Sequence, residues 1–462
     1  MIQGTASGVG KSFLVAGLCR LYTRRGLRVA PFKAVNMSNN AAPARCSCCP
    51  AGVGEIGRAQ AVQAEACRRP AEVDFNPMLI KPEGGGRAQV VLGGHPAGAL
   101  GAGGKDPWGV ITEAWHRVAA NADLVILEGA GSPAEINLRD HDLANMRIAA
   151  YADAEVWLVG DIDCGGVFAS LYGTMALLTA AERARVTGLV INRFRGDPAR
   201  LLPGLAPLEA LTGVPVRGVV PWAESLRPDE EDAVSLDHSV GALDIAVILL
   251  PTVSNTTDLA PLARAPGVGV RWVAVPEKLG NPDLLLIPGA KDTVADLAWL
   301  RRVGLDRVII AAAARGVPML GICGGYQLLC HEIEERGEKY RGLGLLGGRT
   351  EMRDRKVVTP MHRRTVGSWL LPAGLHVTGF EIHQGHTAAP GGRRLFEGDG
   401  SVRGLVAGTY LHGLFDEAPL REALLGALWA RRGLSPPTVA PDAAREAVYD
   451  GLADHLERAL KL

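Results

Sequence analysis

The sequence has little that would suit a nucleic-acid or membrane binder. Its 49 basic residues balance 49 acidic ones, so the formal net charge is zero. Bulk charge therefore excludes a strongly basic nucleic-acid binder. No apolar run reaches the roughly 18 residues of a membrane span. The N-terminus has no charged segment followed by an apolar stretch, so no targeting signal is expected and the default compartment is the cytoplasm. Aromatic residues are scarce, with 8 Phe, 8 Trp and 7 Tyr in 462 positions. The eight cysteines (Cys19, Cys46, Cys48, Cys49, Cys67, Cys164, Cys323 and Cys330) are scattered, which argues against a disulfide framework.

Small residues are abundant, with 58 Gly and 29 Pro. That share stays below the roughly 25–30% of disordered chains. It suits an α/β protein with many strand-to-helix turns. At about 150 residues per domain, the length predicts two or three domains. Predicted strands Val29–Lys33, Leu124–Glu128, Val156–Asp161, Gly188–Asn192 and Val216–Val220 alternate with predicted helices such as Ser12–Arg24, Gly57–Arg68 and Trp108–Asn121. This alternation predicts βαβ units and a parallel sheet. It stops at Pro221–Ser239, where Asp229, Glu230, Glu231 and Asp232 cluster. A second α/β series follows, with strands Asp244–Leu250, Val270–Val275, Leu284–Ile287 and Pro318–Ile322 and helices Thr293–Arg301, Leu305–Arg315 and Gly324–Glu335. Beyond Gly342 the segments are shorter and β-rich, and Leu420–Leu462 reads as helical. The expected division is a first domain at 1–225, a linker at 226–242, a second domain at 243–440 and a helical segment at 441–462.

Residues 4–12 read Gly-Thr-Ala-Ser-Gly-Val-Gly-Lys-Ser, between a short strand and a helix. Glycines let backbone N–H groups curl around phosphate oxygens, Lys11 supplies a point charge, and Ser12 offers a hydroxyl to Mg²⁺. Strict spacing places glycine at position 5. Thr5 stands there instead, with Gly4 one residue earlier, so this is a variant phosphate loop. Thr5, Gly8, Gly10, Lys11 and Ser12 are the expected ATP contacts. Met1–Gln3 is short for a first strand; either the strand is truncated or the true start lies upstream. Lys33 ends the next strand, beside the loop, where it could neutralise a transferring phosphoryl group. Glu128 ends the strand Leu124–Glu128, where Mg²⁺ would sit.

Residues 319–327 read Met-Leu-Gly-Ile-Cys-Gly-Gly-Tyr-Gln. An apolar strand ending in Cys323, with glycines around it and a helix after it, predicts a strained nucleophile elbow. The amino end of that helix favours a thiolate. The Gly324 N–H would face a developing oxyanion, and Gly289, after another strand, is the expected second donor. His412 in Tyr-Leu-His-Gly-Leu-Phe-Asp is the expected base. The position two residues after it is Leu414, so the group that orients the imidazole is left open, with Asp416 and Glu381 as weak candidates.

Together these segments resemble the cobyric acid synthases, glutamine-dependent amidotransferases of cobalamin synthesis. The likeness is carried by Gln3–Ser12, Pro31–Asn39, Gly54–Gln60, Glu128–Asn137, Asp161–Ser170, Val190–Gly196, Leu320–Gln327, Glu381–Thr387 and Tyr410–Phe415, nearly the whole chain. It implies a P-loop, parallel-sheet synthetase domain related to dethiobiotin synthetase. A class I glutamine amidotransferase domain of flavodoxin-like α/β fold follows. It implies that ATP phosphorylates a corrinoid carboxylate and that ammonia from glutamine displaces the phosphate. Family members amidate the b, d, e and g carboxylates of adenosylcobyrinic acid a,c-diamide to give adenosylcobyric acid. The implied small-molecule partners are corrinoid, glutamine and ATP, with Mg²⁺ as cofactor, no nucleic acid and no membrane; oligomeric state is left open. By resemblance Glu55 joins Ser12 and Glu128 as a metal ligand, Lys33 lies near the acyl phosphate, and Asn192 reads adenine. Cys323 and His412 take the nucleophile and base roles. Asn36, Ser38, Asn39, Arg139 and His383 are possible substrate contacts. Ammonia must then travel from one domain to the other.

One segment departs from the family pattern. Pro43–Val53 carries Cys46, Cys48 and Cys49 where relatives have an Asp-Gly-Gly-Glu type approach to the metal. The spacing is not a zinc pattern, and no histidine lies near in sequence. Three rival readings remain. A cobyrinic acid a,c-diamide synthase would share both domains, but Val35-Asn-Met-Ser38 replaces the Gly-Pro-Asp-Tyr type sequence expected after the lysine. A partition-type ATP switch would not need Cys323 or His412. The amidotransferase half could also be a degenerate binding module.

Overall fold

The computed structural model describes residues 1–47, 52–84, 87–97, 106–223, 226, 241–388, 392–437 and 445–462. Cys48, Cys49, the acidic cluster Asp229–Asp232, part of the glycine-rich stretch and nearly all of the expected linker lie outside them. The chain divides into two compact units, Met1–Lys81 with Ala88–Ala233 and Ala443–Leu462, and Pro82–Arg87 with Val234–Asp442.

The first unit is built on parallel strands. Ile2–Gly4 pairs with Val156–Asp161, which pairs with Val186–Phe194, which pairs in turn with Val216–Pro221. On its other side Ile2 bridges Glu128, just after Leu124–Leu127, whose partner is Val29–Phe32. The three-residue first strand therefore lies between two neighbours, and the chain order reverses beside it. In open α/β sheets, ligands bind at the carboxyl ends of the strands at such a reversal. The first helix, Lys11–Arg24, starts there, directly after Gly10 at φ 93°. That backbone conformation is one that glycine adopts without Cβ strain.

The buried face of this helix (Leu14, Val15, Leu18) meets Tyr449, Leu452, Ala453 and Leu456 of the helix Arg445–Ala459. Close approach needs Gly17, where a Cβ would overlap Leu456. Arg20 is fully buried there; its guanidinium lies 2.9 Å from Glu446 and 5.3 Å from the Tyr449 ring centre. The last helix is thus part of the first unit, a placement that its sequence position did not suggest.

The second unit has a six-stranded sheet in the order Val268–Val273, Leu243–Ile248, Leu284–Ile287, Met319–Ile322, Val406–Thr409 and Ser401–Arg403. All pairs are parallel except the last. Strands such as Leu284–Ile287 and Met319–Ile322 are buried along their whole length, as strands covered on both faces are. A second sheet contains the long hairpin Arg349–Val366 and Ala373–Ala388. The helix expected over Gly324–Glu335 is two elements instead. It ends at Leu329, Cys330 is extended, and Glu332–Glu335 is a strand paired with Glu338–Arg341. Arg336 and Gly337 both have positive φ, the signature of a two-residue hairpin turn. The glutamates around buried Ile333 belong to a half-buried strand rather than a helix face. Among the described residues no helix is long and apolar enough to cross a membrane.

Candidate functional site

Two clusters carry chemistry, one in each unit. In the first unit, Gly8 (φ 73°) and Gly10 (φ 93°) let the phosphate loop curl. Gly4 serves close packing, since a Cβ there would stand 2.5 Å from Val9. The Thr5 amide donates to Val159 O at 2.9 Å, so it belongs to the sheet. Lys11 Nζ reaches back over the loop and donates to Ala6 O (2.9 Å) and Gly131 O (3.2 Å). Asn192 leans on the same loop. Its Nδ2 donates to Val9 O at 2.8 Å, and a Cβ on Gly10 would overlap it.

Glu128 is the centre of this cluster. Its carboxylate accepts from Ser12 Oγ (2.8 Å), Lys33 Nζ (2.9 Å) and Gln63 Nε2 (2.5 Å). Burial alone would raise the Glu128 carboxyl, but the Lys33 charge and the Gln63 and Ser12 hydrogen bonds hold it below the ordinary carboxylate range. No sequence pattern points to Gln63. It sits on a buried helix, Arg58–Ala66, that reads as plain packing. Glu55 is also buried, and it is paired with Lys81 at 2.7 Å. Among the described residues no group of three or more His, Cys, Asp or Glu is arranged to hold a metal. Hard oxygen donors on Ser12 and Glu128 nonetheless suit Mg²⁺.

The other expected contacts are spread out. Asn36 Nδ2 donates to Gln60 Oε1 at 2.9 Å. Ser38 Oγ accepts from the Asn40 amide at 3.0 Å. Asn39, between them, is partly buried. Arg139 is exposed and donates to Leu177 O at 2.6 Å. Cys46 is not without a histidine, because folding brings His95 Nε2 to 3.6 Å from its sulfur. A sequence separation of 49 residues hid that contact.

In the second unit, Cys323 stands between strand Met319–Ile322 and helix Gly324–Leu329 with φ 52° and ψ −109°. A non-glycine residue in this region is strained, as nucleophile elbows are. Its amide donates to Thr409 O at 2.8 Å, and its thiol lies 3.6 Å from Ile382 O. Glycines make the turn possible. A Cβ on Gly324 would stand 2.7 Å from Ala290 N, and one on Gly325 would overlap Ile287 O. The Gly289–Ala290 ribbon thus lies against the elbow, and a Cβ on Gly289 would be 3.2 Å from His412 Cε1.

His412 is fully buried. Its ring stacks on Phe380 with centroids 5.4 Å apart. Nδ1 lies 2.7 Å from Asp258 Oδ2, and Nε2 lies 3.2 Å from Asn255 Nδ2. Burial opposes an imidazolium here, but the Asp258 charge prevails, helped by Cys323, and the pKa is pushed up to about 10. The weak candidates beside this imidazole are displaced: Asp258 takes the Nδ1 contact. Glu381 instead binds Arg363 (2.9 Å) and faces His383 (3.5 Å). Asp416 follows Phe415 in the loop after His412, and its amide donates to Gly413 O. Asp258 is 154 residues from His412 in sequence, and no spacing rule points to it.

A cleft of about 550 Å³ is lined by Arg363, Glu381, His383, Arg394, Asp399 and Tyr410, among others. His383 stacks on Tyr410 at 3.9 Å. The Tyr410 hydroxyl meets Thr387 (2.7 Å) and Gln327 Nε2 (3.3 Å), one helical turn beyond Cys323.

Comparisons with known proteins match both units. A profile described as a CobQ/CobB/MinD/ParA nucleotide binding domain matches residues 1–235. A second, described as a CobB/CobQ-like glutamine amidotransferase domain, matches residues 244–420. The chain is 48% identical to a cobyric acid synthase of Desulforudis audaxviator over 99% of its own length and 96% of that protein. It is 47% identical to one from Sorangium cellulosum over 100% of its length and 96% of that protein. It is 45% identical to one from Klebsiella pneumoniae over 98% of its length and 94% of that protein.

Proposed function

The chain belongs to the cobyric acid synthase family, so it is an ATP-dependent, glutamine-hydrolysing amidating ligase of cobalamin biosynthesis, and from that premise we propose how its residues divide the work. The first unit energises a carboxylate of adenosylcobyrinic acid a,c-diamide, at the b, d, e and g positions in turn. The second releases ammonia from glutamine. The observation that supports this division best is the meeting of strained Cys323 with buried His412 in one unit, and of Ser12, Lys33 and Glu128 beside a phosphate loop in the other.

In the first unit Gly8, Gly10 and Lys11 hold the triphosphate, with Lys11 leaving its two carbonyl partners for phosphate oxygens, and Thr5, its amide kept by the sheet, adds its hydroxyl. Asn192, anchored on Val9, faces the nucleotide base. Ser12 and Glu128 would hold Mg²⁺, which supplies charge neutralisation at the phosphates when bound. Glu55 would join them only by leaving Lys81. The substrate carboxylate attacks the γ-phosphate in line, and Lys33 stabilises the transferring charge. Asn36, Ser38, Asn39 and Arg139 are substrate contacts on the segments that follow the paired strands Val29–Phe32 and Leu124–Leu127.

In the second unit Cys323 attacks the glutamine amide carbon. The Gly324 and Gly289 N–H groups bind the oxyanion, and His412 gives its proton to the departing ammonia. Water then releases glutamate from the thioester. His383, in the cleft that adjoins the nucleophile, contacts glutamine in this reading rather than the corrinoid.

The test is nitrogen-source dependence. Cys323→Ser is expected to lose glutamine-dependent amidation and keep amidation at high ammonium. Lys11→Ala is expected to lose both. Failure of ammonium to rescue a folded Cys323→Ser, or activity in Lys11→Ala, would overturn the assignments. Mass spectrometry of products from the diamide, ATP, Mg²⁺ and glutamine counts the amides added.

A further inference from the structure

We propose that Asp258 is the positioning residue of the amidotransferase site, orienting the His412 imidazole from the turn Thr256–Leu259 and filling the role that Leu414 cannot. The inference rests on the glutaminase reading above. Both carboxylate oxygens are used. Oδ2 lies 2.7 Å from His412 Nδ1, and Oδ1 accepts from the Gly413 amide at 2.8 Å. One carboxylate therefore grips the ring and the backbone that follows it. Both side chains are buried, Asp258 at 5% exposure and His412 at none, so the contact is little screened by water.

The delivery route is visible in the chain. Val253–Ser254 pairs antiparallel with Gly289–Ala290, the ribbon that lies against the elbow. Asn255 then takes φ 52°, and the turn carrying Asp258 begins. One short ribbon thus ties the proposed oxyanion donor to the acid.

The consequence is a fixed tautomer. A carboxylate on Nδ1 makes that nitrogen the N–H donor. Nε2, 3.2 Å from the Asn255 amide nitrogen, is left as the nitrogen that carries the proton delivered in the reaction. Nε2 already carries a proton at neutral pH, and the Cys323 sulfur attacks the amide carbon as a thiolate to form the sulfur–carbon bond. The imidazolium is stabilised by Asp258, which stays ionised. The Nε2 proton leaves on ammonia when the carbon–nitrogen bond breaks.

The experiment uses the full chain with Asp258→Asn, Asp258→Glu and Cys323→Ser. Glutaminase kcat and KM, their pH profiles and ammonium-driven amidation are measured for each. Asp258→Asn is expected to lose glutaminase kcat by about 10²–10⁴-fold, as when an orienting acid becomes an amide. Ammonium-driven amidation should stay at the wild-type level, and KM for glutamine should change far less than kcat. The alkaline limb of the profile should move to lower pH by about one unit or more, because the imidazolium loses its counter-charge. Asp258→Glu should recover part of kcat and of the alkaline limb. Wild-type kcat and pH profile in either variant, with Cys323→Ser inactive, would overturn this proposal alone. Glutaminase activity in Cys323→Ser would overturn the reading beneath it. Should Asp258→Asn not fold, the Glu variant decides, since it keeps the charge and moves the carboxylate.

Discussion

Lys33 and Glu128 form a buried ion pair, 2.9 Å between Nζ and Oε1, at the carboxyl ends of two paired parallel strands. Removing one partner leaves the other charge stranded, which costs about 3–5 kcal/mol. Lys33→Met is therefore expected to lower the stability of the first unit by that order and to abolish amidation with either nitrogen source. Glutaminase activity should persist. Denaturant titration beside the two assays checks this; a stable, active Lys33→Met would contradict the role given to the pair.

A pH dependence of stability follows from His412. The side chain titrates near 6.5 when unperturbed and at about 10 in the fold, where burial opposes the charge and Asp258 overrides it. Between those values the native state holds a proton that the unfolded chain releases. The stabilisation is complete below about pH 6.5, shrinks as pH rises, and is gone above about pH 10. Urea midpoints measured across that interval should fall with rising pH, and His412→Gln should flatten the slope. An identical slope in the variant would refute the assignment.

Gly325→Ala should damage only the elbow. Its Cβ would overlap the Ile287 carbonyl oxygen, part of the sheet backbone. Overpacking of this kind costs about 1–3 kcal/mol. Loss of glutaminase activity with ammonium-driven amidation intact is the expected outcome, and wild-type glutaminase kinetics would count against it.

Leu456→Ala should destabilise the first unit, although it lies near the end of the chain. The residue is fully buried against the first helix. Such truncations cost about 2–5 kcal/mol. Thermal melts of the variant, and of a chain ending before Arg445, should show the early transition, and the shortened chain should lose ammonium-driven amidation. Wild-type melting of the shortened chain would be the contrary result.

What was legible in the sequence was local. The phosphate loop, the strand ends at Lys33 and Glu128, and the elbow at Cys323 are signalled by neighbours within a few residues, because a glycine-rich turn and an apolar strand announce themselves in series. Strand boundaries came out within a residue or two at Val29–Phe32, Leu284–Ile287 and Met319–Ile322. Contacts closed by tertiary folding were not legible. Asp258 on His412, Gln63 on Glu128, Lys81 on Glu55 and His95 on Cys46 each join distant segments, and aspartate in a turn or glutamine on a helix has no distinguishing pattern. The stretch Glu332–Glu335 failed for another reason. Charged residues around one isoleucine fit either period over four positions, and only the Arg336–Gly337 turn decides.

The helix Arg445–Ala459 also sets an order of birth. A ribosome makes the phosphate loop first and this helix some 400 residues later, yet the two pack together. The synthetase half must therefore wait, with one side of its first helix uncovered, while the whole amidotransferase half emerges. Folding during translation should complete the second half before the first, and a stalled ribosome would leave a glutaminase without a finished ligase.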